Sequence, residues 1–134
     1  MRILFGIFIL LHGLVHLLYF GHSLRLFELK PGLVWPAGSW AFSKLLGDIT
    51  ARNLASISLI LATAGLIVGS IGIFGGLSWW RPVVVGVAIF SSVVFILLWN
   101  GRLQNLDGQG GVGVLINLAL LIAILIFRWP QLGF

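Results

Sequence analysis

Two imidazoles four residues apart, in His12-Gly13-Leu14-Val15-His16, stand inside an otherwise apolar run from Ile3 to Phe20. On a helix this spacing puts both rings on one face, where they can bind a metal, relay a proton or hydrogen-bond a ligand. Structural zinc takes about four protein ligands and catalytic zinc about three, so if a metal is present His12 and His16 are only part of its site. The acids Glu28, Asp48 and Asp107 all lie outside the apolar runs. Histidines four apart on one helix cannot take opposite faces of one haem, so bis-histidine ligation needs a second chain or a different axial ligand. Hydrolysis lacks its parts as well, because Ser91 and Ser92 have no acid at their depth to orient a histidine. No catalytic set is assembled and no cofactor is specified.

The elements that must position these groups are membrane helices. Of 134 residues, 60% are hydrophobic and 8% charged, and the mean hydropathy is +1.15, far from the balance of a soluble domain. A crossing needs about 20 mainly apolar residues. The pattern predicts four, at about 3–22, 51–74, 82–99 and 112–129, joined by an interfacial loop at 23–50. The expected fold is therefore all-α: one antiparallel bundle of four transmembrane helices over residues 1–134, multi-pass in the plasma or inner membrane. Cysteine is absent and the net charge of +5 comes from scattered Lys and Arg, which suits headgroup anchoring and gives no basic face for nucleic acid. Arg25, Lys30, Lys44, Arg52 and Arg102 fall on one side and Arg2, Arg81 and Arg128 on the other, too even a division to orient the chain.

An ionisable side chain inside a span is costly and marks function. At about 100° per residue, His12, His16, Tyr19 and Ser23 share one stripe of the first helix, which is read as retained rather than cleaved as a signal. His22 points away and is expected to be wetted. Gly6 and Gly13 occupy an adjacent strip open to a neighbouring backbone. The first helix can continue as an interfacial turn to Lys30, until Pro31-Gly32 stops it. Beyond it, Trp35 and Trp40 suit the headgroup belt, with a lid over the bundle end as the alternative, and Ser39 can cap a short helix through Leu46.

Asp48 or Thr50 is the expected cap of the second helix, which carries a seam of small residues: Ala51, Ala55, Ser58, Ala62, Gly65, Gly69, Gly72 and Gly76. Their 4-3 spacing allows close helix approach and makes this helix the spine. Gly75 to Pro82 turns the chain into a hairpin. Gly108-Gln109-Gly110-Gly111 lacks the Gly-Lys-Ser/Thr ending of a phosphate loop and follows no strand.

With helices alternating in direction, the polar residues collect in the half facing the two long loops. His12, His16 and Tyr19, with Asn117 and Ser92 across from them, either line a pocket open toward residues 23–50 or bond one another to hold the helices together. The leading expectation is a binding or accessory protein with this His/Tyr/Asn pocket for a small or lipidic ligand. A haem- or metal-bearing subunit of a membrane redox complex is the alternative, and a small dimeric channel or transporter the third. Expected partners are the lipid bilayer and either a second copy or a larger membrane complex.

The stretch His12-Gly13-Leu14-Val15-His16-Leu17-Leu18-Tyr19-Phe20, together with Trp79-Trp80, Trp99-Asn100 and Gly113 to Asn117, resembles a family of small, uncharacterised four-helix bacterial membrane proteins with a His-Gly-x-x-His-Leu-x-x-Phe first helix. Tyr19 departs from the glycine of that pattern. The resemblance implies the same architecture, points to the same His and Asn residues and brings no activity with it.

Overall fold

The computed structural model describes residues 1–134 and is all-helical, without strands. Helix α1 is Arg2–Ser23, the short α2 is Ser43–Leu46, α3 is Asp48–Gly75, α4 is Trp80–Leu98 and α5 is Gly111–Leu121, prolonged by a π turn at Ile122–Ile126. By length and composition α1, α3 and α4 can cross a membrane. The fourth apolar helix stops short of the expected residue 129: Gly111–Ile126 rises about 24 Å at 1.5 Å per residue, against a hydrocarbon core of about 30 Å.

Helix α3 is the spine. Its face bearing Gly65, Gly69 and Gly72 receives Val87, Val84 and the Trp79–Trp80 corner of α4. Another face takes α1, where Gly13 lies so close to Leu66 that an added Cβ would sit 2.9 Å from the leucine Cβ. Gly6 is covered by the Phe74 ring. Small residues thus bring backbones together where no hydrophobic force separates helix from lipid. Gly76, at φ 71°, ends α3, and Leu77 N–H donates to Gly72 O at 2.8 Å, a left-handed stop that turns the chain into α4.

Two apolar clusters fill the interior. Phe5, Ile9, Leu66, Ile73, Trp80, Val84, Leu120 and Ile124 form one. Leu33, Trp35, Ala51, Ala55, Leu59, Phe95 and Leu98 form the other, at the end of the long loop. Between them lies a polar layer containing His12, Thr63, Ser91 and Asn117, all buried.

The long loop departs from several expectations. α1 ends at Ser23 instead of running on toward Lys30: Arg25 adopts φ 62° and Leu26 N–H returns to Gly21 O. The chain folds back over His22, which is fully buried rather than wetted, with its Nδ1 held 3.1 Å from Phe27 O and 3.3 Å from Leu29 N. Of the two loop tryptophans Trp40 fits the belt, at 51% exposure, whereas Trp35 is 2% exposed and inside the second cluster. The physical reason is the end of α4, whose last carbonyls have no helical partner. Ser39 Oγ donates to Leu97 O at 2.6 Å, Trp40 Nε1 to Ile96 O at 2.7 Å and Trp40 N–H to Trp99 O at 2.8 Å. Satisfying them pulls the loop onto the bundle and inserts Trp35. Ser39 also accepts from Phe42 N–H at 3.1 Å, capping a turn ahead of the regular helix at Ser43. Neither Asp48 nor Thr50 caps α3, which begins at Asp48 behind Gly47; Asp48 Oδ1 accepts from Gly38 N–H instead.

Candidate functional site

The stripe of α1 meets α4 and α5 in the polar layer. His12 Nε2–H donates to Asn117 Oδ1 at 2.7 Å. The Asn117 amide donates to Ser91 Oγ at 2.6 Å and to Ser92 Oγ at 3.1 Å, and Ser92 Oγ donates back to Ala88 O at 2.7 Å. Asn117 is therefore satisfied on both sides of its amide, with one acceptor and two donors engaged. Thr63 Oγ1 lies between Leu59 O at 2.9 Å and Gly13 O at 3.2 Å, adding α3 to the layer.

His16 occupies the next turn, toward the loops. Its Nδ1–H donates to His12 O at 2.9 Å, which makes Nε2 the bare nitrogen of a neutral ring. That Nε2 is buried and has no partner. The two histidine rings meet edge to face at 5.2 Å, and His16 lies 5.8 Å from the Phe95 ring. Tyr19 leaves the layer altogether: its ring packs on Phe95 and Trp35, and its hydroxyl donates to Asp107 O at 2.9 Å. Ser23, last on the stripe, meets Ser56 Oγ of α3 at 2.8 Å.

Of the five residues expected to form the site, the structure joins His12, Ser92 and Asn117 by hydrogen bonds, sets His16 beside them and sends Tyr19 to the loop. Four cavities are present, and none is lined by any of these five residues. No group of three or more His, Cys, Asp or Glu gathers where it could hold a metal ion.

One cavity close to the histidines opens between α4 and α5. It encloses about 490 Å³ and is walled by Phe95, Ile96, Trp99, Val112, Val114 and Leu115, with Asp107 and Gln109 at its loop end. Phe95 is the partition, with this cleft on one side and His16 and Tyr19 on the other. Gly110 fixes it there: its φ of 87° suits glycine, and an added Cβ would collide with the Phe95 ring. No protein-family model, curated protein or solved structure matches the chain. The site is therefore defined by its own geometry.

A second, smaller cavity of about 170 Å³ adjoins the loop end of the cleft, with Gln109 lining both. Its walls are the 32–37 segment and the polar side chains of Asn100, Arg102, Gln104, Asn105 and Gln109. Gln109 is 3% exposed; its Oε1 accepts from Asn100 N–H at 3.1 Å and its Nε2 donates to Gln104 O at 3.3 Å. Beside it Lys30 and Asp107 form an ion pair. The lysine's hydrogen bond holds the Asp107 carboxyl below the usual carboxylate range.

Ser91, Phe95 and Trp35 are the residues that sequence reasoning left out of the site. Ser91 carried a signal: it is in step with Val84, Ala88, Phe95 and Leu98, the buried face of α4, whereas Ser92 is one position off that seam. Trp35 carried none, because its burial depends on which carbonyls the loop finds at the far end of α4.

Proposed function

We propose that the protein is a multi-pass binding or accessory protein of the cell membrane, with four antiparallel crossings, that holds a lipidic ligand in the cleft between α4 and α5. The observation that carries this proposal is the Phe95 partition, an aromatic wall shared by an apolar cleft of about 490 Å³ and the buried His16–Tyr19 pair. A cleft of that size and lining is of the kind that takes small apolar ligands, and a membrane supplies such ligands in the form of lipid. The hydrogen-bonded layer below it acts as a clamp, fixing α1, α4 and α5 so that the cleft keeps its shape. The ligand place thus moves one residue outward from the His-lined pocket expected from the sequence.

Native mass spectrometry of the protein extracted in mild detergent tests this. The wild type should retain a lipid adduct that Val112→Trp, which fills the cleft, loses. Equal adducts on both proteins refute the proposal. A haem- or metal-bearing role is a second reading, supported by the bare Nε2 of His16 and requiring further ligands from another chain. A Soret band or stoichiometric metal lost in His16→Ala would establish it.

A further inference from the structure

We infer that the small polar cavity at the loop end of the cleft is a headgroup site and that the lipid it selects is anionic, an inference that rests on the lipid-binding role proposed above. The two cavities are complementary parts of one amphipathic site: an apolar trough for a chain and, across Gln109, a polar pocket for the group at its end. Their depth fits this division. Trp99 and Trp40, both reaching the surface at this end, donate through their indole nitrogens to Arg102 O and Ile96 O, the position of an aromatic belt at headgroup level.

Charge sets the class of headgroup. Arg102 lines the pocket and no carboxylate does. The chain's single ion pair joins Lys30 to Asp107, so the Arg102 guanidinium has no acidic partner. Arg25 does not line the pocket: it donates to Val34 O at 3.0 Å behind the wall and has Asp48 as its charged neighbour, so Arg102 alone sets the charge of the pocket. Asn100, Gln104 and Asn105 add neutral polar groups. A phosphodiester with no compensating cation, as in a glycerol headgroup, complements this set, since guanidinium pairs with phosphate oxygens through two parallel N–H donors. A choline headgroup would bring a second cation beside Arg102.

Full-length protein in detergent is titrated with phosphatidylglycerol and with phosphatidylcholine of identical chains, and bound lipid is counted by native mass spectrometry. Wild type should favour phosphatidylglycerol by about fivefold or more, the weight of one basic side chain at a membrane surface. Arg102→Gln, a change at an exposed position, should bring that ratio close to one while still retaining lipid. Val112→Trp and, as a second cleft-filling variant, Leu115→Trp should lose both lipids. Soluble glycerol phosphate at equal concentration should displace nothing. Equal retention of the two lipids by wild type, a preference unchanged in Arg102→Gln, or displacement by glycerol phosphate overturns the headgroup assignment. Retention of neither lipid, or retention indifferent to both tryptophan variants, instead removes the lipid-binding role beneath it.

Discussion

Replacing Asn117 by leucine keeps a branched side chain of similar length at the centre of the polar layer and deletes its hydrogen bonding. Three bonds go: the 2.7 Å bond from His12, the 2.6 Å bond to Ser91 and the 3.1 Å bond to Ser92. Inter-helix hydrogen bonds in membrane proteins contribute about 0.6 to 1.7 kcal/mol each, and an orphaned buried N–H on His12 adds to the loss. The expected cost of Asn117→Leu is about 2–4 kcal/mol. Ser91→Ala should cost about 1 kcal/mol and Ser92→Ala less, since the Asn117–Ser92 bond, at 3.1 Å, is the longest of the three. The assay is unfolding by sodium dodecyl sulfate in mixed micelles, followed by far-ultraviolet circular dichroism. The double variant Asn117→Leu/Ser91→Ala should be no less stable than Asn117→Leu alone, because the bond is already gone. A cost below about 0.5 kcal/mol for Asn117→Leu, or additivity of the two substitutions, would refute the clamp.

Two further perturbations probe the loop. Trp35→Ala should remove the plug at a cost of about 3–5 kcal/mol, the range for emptying a large buried aromatic site, and raise hydrogen exchange over residues 24–47; unchanged protection there would mean that Trp35 does not hold the loop. Acid should loosen the same loop through Asp107. Its carboxyl titrates lower in the folded state than in the unfolded chain, so its stabilising contribution is complete above the ordinary aspartate value of about 3.9 and is lost as pH falls through the lowered one. Trp fluorescence on acidification should therefore include a step below that ordinary value. Asp107→Asn should shrink that step, to which Asp48, bonded to Gly38 N–H in the same loop, also contributes, and a step unchanged in that variant would count against the Lys30 pairing as a cause.

Helix positions and packing seams were legible because lipid imposes its own grammar: apolar runs of crossing length, glycine and alanine at 4-3 spacing on α3, and polar side chains spaced 4-3-4 along α1. Depth placed Asn117 across from the histidine stripe, with His12 near the midplane, but left open which histidine it would meet; the structure pairs it with His12. What could not be read was the outcome for atoms that lack partners locally. Whether Tyr19 joins the histidines or reaches Asp107 depends on a carbonyl in the loop before α5, and whether Trp35 stays in the headgroups or enters the bundle depends on carbonyls at the end of α4, both far away in sequence. The short final helix was equally hidden, since its apolar residues continue to Phe127 while the backbone changes to a π turn at Ile122.

The inserted tryptophan also imposes an order of assembly. Trp35 rests on Phe95, and Ser39 and Trp40 bond the carbonyls of residues 96, 97 and 99. None of these partners exists when the loop is made. Translation at about 5–20 residues per second delivers Phe95 roughly 3–12 s after Trp35. During that interval two indoles must wait at the membrane surface, a station that suits their half-polar rings. Closure of the loop is thus a late event that follows the insertion of α4. A chain stalled before α4 emerges would leave both tryptophans without their partners.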